Sequence, residues 1–104
     1  MQETNAINME NTESKYHLKN TMESIVIEKV TEKFKNTSDA CTCEKCFYDI
    51  CAIVLNSLSP HYTTTAEGEL MDKTKVTLNI QIHSRVSIEV LKAIELVKSK
   101  PMHK

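Results

Sequence analysis

Three cysteines fall within six residues of this sequence, Cys41-Thr42-Cys43-Glu44-Lys45-Cys46. Clustered thiols can pair as disulfides, exchange electrons or hold a metal ion. Disulfides persist in oxidising compartments, and the N-terminus lacks the basic-then-apolar pattern of an export signal. Cys43-Glu44-Lys45-Cys46 is formally the Cys-x-x-Cys of a dithiol oxidoreductase, but such motifs follow a strand in a βαβ pattern. No such pattern precedes Cys43, and the additional Cys41 favours coordination. Zinc takes four soft or borderline ligands in a tetrahedron. Cys41, Cys43 and Cys46 can supply three, the last from the first turn of a following helix, where exposed N–H groups and the positive end of the helix dipole stabilise charged sulfur.

The fourth position is open. His61, His83 and His103 are available, and His103 follows a helix-ending Pro101 that leaves it free to swing onto the site; a partner chain or water is the alternative. Cys51, five residues past Cys46, lies on an apolar stripe and is expected in the core as a small hydrophobe. Other chemistry finds little material. The single glycine, Gly68, excludes a P-loop or a dinucleotide-binding turn, which need several. A formal charge of −1, no tryptophan and few aromatics argue against nucleic-acid or anionic-membrane binding. Asp49 reads as a helix-surface residue rather than a general base. Arg85, the one arginine, can grip a phosphate through two parallel hydrogen bonds.

The elements that must position these residues read as helices. Residues 1–19 are rich in Asn, Glu and Thr and are expected to form a disordered arm; residues 20–104 form one domain. Asn20 caps a first helix whose Met22, Ile25, Val26, Val30 and Phe34 share one face. Phe47, Ile50, Cys51, Val54 and Leu58 stripe the second helix, which Pro60 stops. Residues 60–68 read as a loop. Over 69–85 two periods compete. Val76, Leu78, Ile80 and Ile82 alternate as in a strand, whereas Met71, Thr74, Leu78, Ile82 and Val86 fit a helical stripe. The helix is preferred because a lone strand has nothing to pair with, although a short strand around 75–82 stays open. Residues 86–98 predict a last helix, with Val86, Val90, Ile94 and Val97 inward. Ile88, Leu91 and Leu96 widen its apolar surface beyond one contact, which points to a two-fold homodimer. The fold class is mainly α, a small four-helix domain with a zinc-binding cysteine cluster at the start of its central helix. No apolar run is long enough to span a bilayer, and the chain reads as soluble and cytoplasmic.

Cys41-Thr42-Cys43-x-x-Cys46-x-x-Asp49-Ile50-x-Ala52-x-x-Leu55-Asn56-x-Leu58-x-Pro60-x-Tyr62 resembles the signature of the late competence development protein ComFB family. The resemblance extends through Gly68, Glu69-Leu70-x-x-Lys73 and the Pro101-x-His103 tail. Ser59 and Cys51 depart from the usual proline and aliphatic residue, and neither belongs to the cysteine triad. The resemblance implies a mostly helical homodimer with structural zinc on Cys41, Cys43, Cys46 and His103. It also implies a non-enzymatic receptor for a cyclic dinucleotide, cyclic di-GMP or cyclic di-AMP, linked to competence or motility and signalling to a partner protein. Tyr62, Lys73 and Arg85 are the candidate ligand contacts. The alternatives are an interaction module that takes no nucleotide and, with less support, a dithiol oxidoreductase.

Overall fold

A computed structural model describes residues 15–36 and 43–99. In order along the chain, β1 (Lys19–Asn20) leads into α1 (Thr21–Lys35), followed by α2 (Glu44–Asn56), β2 (Tyr62–Thr63), α3 (Ala66–Leu78) and α4 (Ile80–Ser99). The two strands pair antiparallel, Lys19 with Thr63 and Asn20 with Tyr62.

The core forms where three apolar stripes meet. Met22, Val26 and Val30 come from α1, Ile50, Cys51 and Val54 from α2, and Val86, Val90, Ala93, Ile94 and Val97 from α4. These are the stripes that the three- and four-residue spacing marks, because residues so spaced share one helix face. Phe34 and Phe47 pack edge to face at 5.6 Å between ring centroids, closing the end of the α1–α2 pair.

Asn20 does more than cap. It is buried, and its Oδ1 accepts the Met22 N–H at 3.1 Å and the His61 N–H at 2.8 Å. The same carboxamide oxygen therefore starts α1 and fastens the distant loop before β2. The expected arm over 1–19 lies mostly outside the described residues. Within them, the His17 N–H donates to the Thr64 carbonyl at 2.9 Å, and Lys19 is already in the strand pair.

The region from 60 to 85 departs from the sequence reading in three respects. The 60–68 segment is not all loop: Tyr62–Thr63 is a strand, and α3 begins at Ala66 with Thr65 as its cap, whose Oγ1 accepts the Gly68 N–H at 2.9 Å. The last helix starts at Ile80, not at residue 86. Residues 74–78 and 80–82 are helical, with no strand between them, but the buried face differs from the expected stripe. Val76 is the core residue, while Met71 and Leu78 stand exposed. The reason is a break at Asn79. Its backbone leaves helical geometry (φ −94°, ψ 106°), and its side-chain oxygen accepts the Ile82 N–H at 3.1 Å. One asparagine ends α3 and caps α4, so a stripe drawn continuously through it cannot hold.

Candidate metal centre

Cys43 occupies the N-cap of α2, with extended backbone (φ −68°, ψ 162°), and its Sγ accepts the Cys46 N–H at 3.5 Å. Sulfur here takes the place that a Ser or Asp oxygen usually fills. Cys43 is exposed at the helix end, whereas Cys46, one turn on, is fully buried. The pair thus sits at the positive end of the α2 dipole, one sulfur at the surface and the other at the edge of the core. Two soft donors on one turn, one already receiving an N–H bond, suit a thiophilic ion such as zinc, whose thiolate ligands are commonly hydrogen-bonded in this way.

Cys41 and His103 lie outside the described residues. Among the described residues, no group of three or more His, Cys, Asp or Glu side chains gathers, so His61 and His83 do not join Cys43 and Cys46 in such a cluster. His61 is engaged elsewhere, with Nδ1 3.1 Å from the Asp72 carboxylate. His83 lines a cleft between α1, α3 and α4. Cys51 is 4% exposed on the core face, and burial raises its thiol pKa above the ordinary value, which keeps it neutral. Asp49 accepts from Lys45 at 2.8 Å one turn away, an ordinary surface helix pair.

The three candidate ligand contacts stand apart within one chain. Lys73 lines the cleft of about 200 Å³ that holds His83, and its Nζ is 2.8 Å from Glu28. Arg85 lines a second cleft, of about 370 Å³, with an apolar floor of Met22, Leu58 and Ile82 and with Ser59 and His61 at its rim. Its Nη2 donates to the Ser57 carbonyl at 3.3 Å and its Nε to Glu89 at 3.1 Å. Arg85 thereby caps the negative end of α2. Its guanidinium carries five N–H donors, so these two bonds leave capacity toward the cleft. Tyr62 is 62% exposed on β2.

Sequence reasoning did not find the joint built from Asn20, His61 and Asp72. Asn20 carried a visible capping signal, but its second bond crosses 41 positions of sequence and has no local signature. It also missed the Lys19–Glu69 pair at 2.9 Å, which ties β1 to α3. That hydrogen bond holds the Glu69 carboxyl below the usual range, helped by the nearby charges of Lys19, His17 and Lys73.

Residues 19–101 match the family described as late competence development protein ComFB. The chain belongs to this family. A solved structure of the late competence protein ComFB from Bacillus subtilis superposes with a TM-score of 0.69, at 24% identity, over 84% of this chain and 94% of that one. At that identity the likeness establishes the shared fold, a small helical domain. No match was found among curated proteins. Among the described residues, no helix is long and apolar enough to cross a membrane.

Proposed function

We propose that this ComFB-family chain is a non-enzymatic cytoplasmic regulator, a homodimer whose fold is tied by zinc on Cys41, Cys43, Cys46 and His103. In this reading it receives a cyclic dinucleotide, cyclic di-GMP or cyclic di-AMP, and hands the signal to a partner protein in competence or motility. The observation that carries the metal half is the sulfur-capped start of α2, with Cys43 and Cys46 on one turn. Zinc, when bound, supplies a rigid four-point junction and no chemistry of its own. The protein groups do the rest: Cys43 caps α2, Cys46 anchors the site to the core, and a ligand at His103 would draw the chain beyond α4 back to that point.

The dimer half is supported by Ile88 and Leu91, which lie three residues apart on the outer side of α4 and are each about half exposed. For the ligand half, the Arg85 cleft offers an apolar floor, a guanidinium and a serine rim, a combination suited to a base and its phosphodiester. Lys73 and Tyr62 line other parts of the surface, so a symmetric ligand touching all three would draw on both copies. Native mass spectrometry tests the first half, with a dimer carrying one zinc per chain as the expected species. Calorimetry with each cyclic dinucleotide tests the second. Binding that weakens at least tenfold in Arg85→Ala supports the assignment, and no heat with either nucleotide removes it.

A specific observation favours the interaction-module reading as the alternative. Leu70, Met71, Leu78 and Ile80 are all more than half exposed around α3 and the start of α4. Apolar surface of that kind commonly marks a protein contact. Retention of partners in nucleotide-free pull-downs, lost in Leu78→Asp, would favour that reading.

A further inference from the structure

We propose that Cys43 and Cys46 form a reversible disulfide when the protein meets a peroxide, and that this bond displaces the zinc. The consequence for the metal rests on the zinc reading above, whereas the disulfide rests on the geometry of the pair. The two residues are the N-cap and the third residue of α2. Residues three apart in a turn have Cα atoms within about 7 Å, and disulfides span Cα separations of roughly 4.4–6.8 Å. The Cys46 N–H bond to Cys43 Sγ holds that sulfur over the first turn, at the end from which Cys46 starts. Exposure divides the work. Cys43 is open to solvent and meets the oxidant, while Cys46 is shielded and acts as the resolving thiol. Cys51 stands aside, in the core and kept neutral by burial.

The steps balance with hydrogen peroxide as oxidant. The Cys43 sulfur attacks one peroxide oxygen, the O–O bond breaks, and hydroxide leaves to be protonated to water, giving a sulfenic acid. The Cys46 sulfur then attacks the Cys43 sulfur, the S–O bond breaks, and the departing hydroxide takes a proton and leaves as a second water. Two electrons pass from the sulfur pair to the peroxide. A disulfide sulfur is a poor zinc ligand, so zinc held by Cys43 and Cys46 would lose both thiolates and be released with its charge unchanged. The body of α2 keeps its place because Ile50 and Val54 remain packed in the core. Oxidation therefore unties the metal junction without unfolding the helix.

The test treats the full-length protein with stoichiometric hydrogen peroxide and follows zinc with a chromophoric chelator, intact mass by spectrometry and the linkage by peptide mapping. The expected result is loss of two hydrogen masses per chain, a bridge mapped to Cys43 and Cys46, and zinc release in equal amount, all reversed by dithiothreitol and added zinc. Cys43→Ser should abolish the bridge while staying folded, since serine is a favoured N-cap; Cys51→Val should leave the bridge unchanged. Oxidation that maps to Cys41 or Cys51, joins two chains, or runs to sulfinic acid overturns the proposal even where zinc is bound. Protein that never binds zinc but still forms the bridge would defeat the zinc reading and leave the disulfide standing.

Discussion

Helices α2 and α3 are each 13 residues long, yet they are held by opposite means. α2 buries Cys46, Ile50, Cys51 and Val54 and packs on both α1 and α4. α3 buries only Val76 and is fastened by polar contacts: Thr65 at its cap, Lys19 to Glu69, His61 to Asp72 and Glu28 to Lys73. Apolar burial is insensitive to direction and hard to undo. Exposed ion pairs and single hydrogen bonds each contribute little. The molecule thus has a rigid helix that presents the sulfur pair and a lightly held helix with an apolar outer face. In the function proposed above, the first helix would carry a fixed metal junction and the second a surface that adjusts to a partner.

The largest expected effects test the rigid side. Ile50→Ala should cost about 2–5 kcal/mol, as large-to-small changes in packed cores do. Leu78→Ala, at a residue 77% exposed on α3, should fall within about 0.5 kcal/mol. Equal costs in chemical denaturation would erase the contrast between the two helices. Chelation comes next. If zinc is held at the cysteine cluster, removing it should lower the melting temperature and speed amide exchange in the first turn of α2 while leaving α3 unchanged, because metal binding at such a site is coupled to local folding. Slower or unaltered exchange at α2 would break the link between metal and helix.

Asn20→Ala should cost roughly 1–3 kcal/mol, since it removes a helix cap and strands the His61 N–H. Hydrogen exchange should show the loss at β2 and the start of α3 as well as at α1. A loss confined to α1 would show that the joint does not hold α3. The smallest effects are titrations, and they run in opposite directions. Glu69 has a lowered pKa, so its bond to Lys19 stabilises the fold above the carboxyl's ordinary value of 4.5 and is lost as pH falls through the lower folded-state value. Cys51 has a raised pKa, so its neutral burial stabilises the fold below the ordinary 9.0 and is lost as pH climbs through the higher folded-state value. Amide exchange against pH should loosen α3 first in acid and α2 first in alkali, and Glu69→Gln should remove the acid limb.

The same contrast explains what could be read before the structure. The stripes of α1, α2 and α4 were legible because burial on one face imposes a period. Cys51 was legible as core for the same reason, and Cys43 and Cys46 as thiols at a helix start from their short spacing. α3 buries only Val76, so it leaves no period to find, and its inward face was assigned to Met71 and Leu78, which are exposed. Asn79 concealed the boundary between α3 and α4, because β-branched residues on either side suggest a strand until its dual capping role is known. Lys73 and Arg85 were grouped with Tyr62 as ligand candidates, and the linear sequence does not reveal that the two cations line different clefts.

Zinc K-edge X-ray absorption on the protein as purified decides whether the cysteine cluster holds the metal. The expected first shell is dominated by sulfur at about 2.3 Å, three sulfurs with one imidazole nitrogen near 2.0 Å. A shell of oxygen and nitrogen alone, or protein that holds no zinc, would rule the site out.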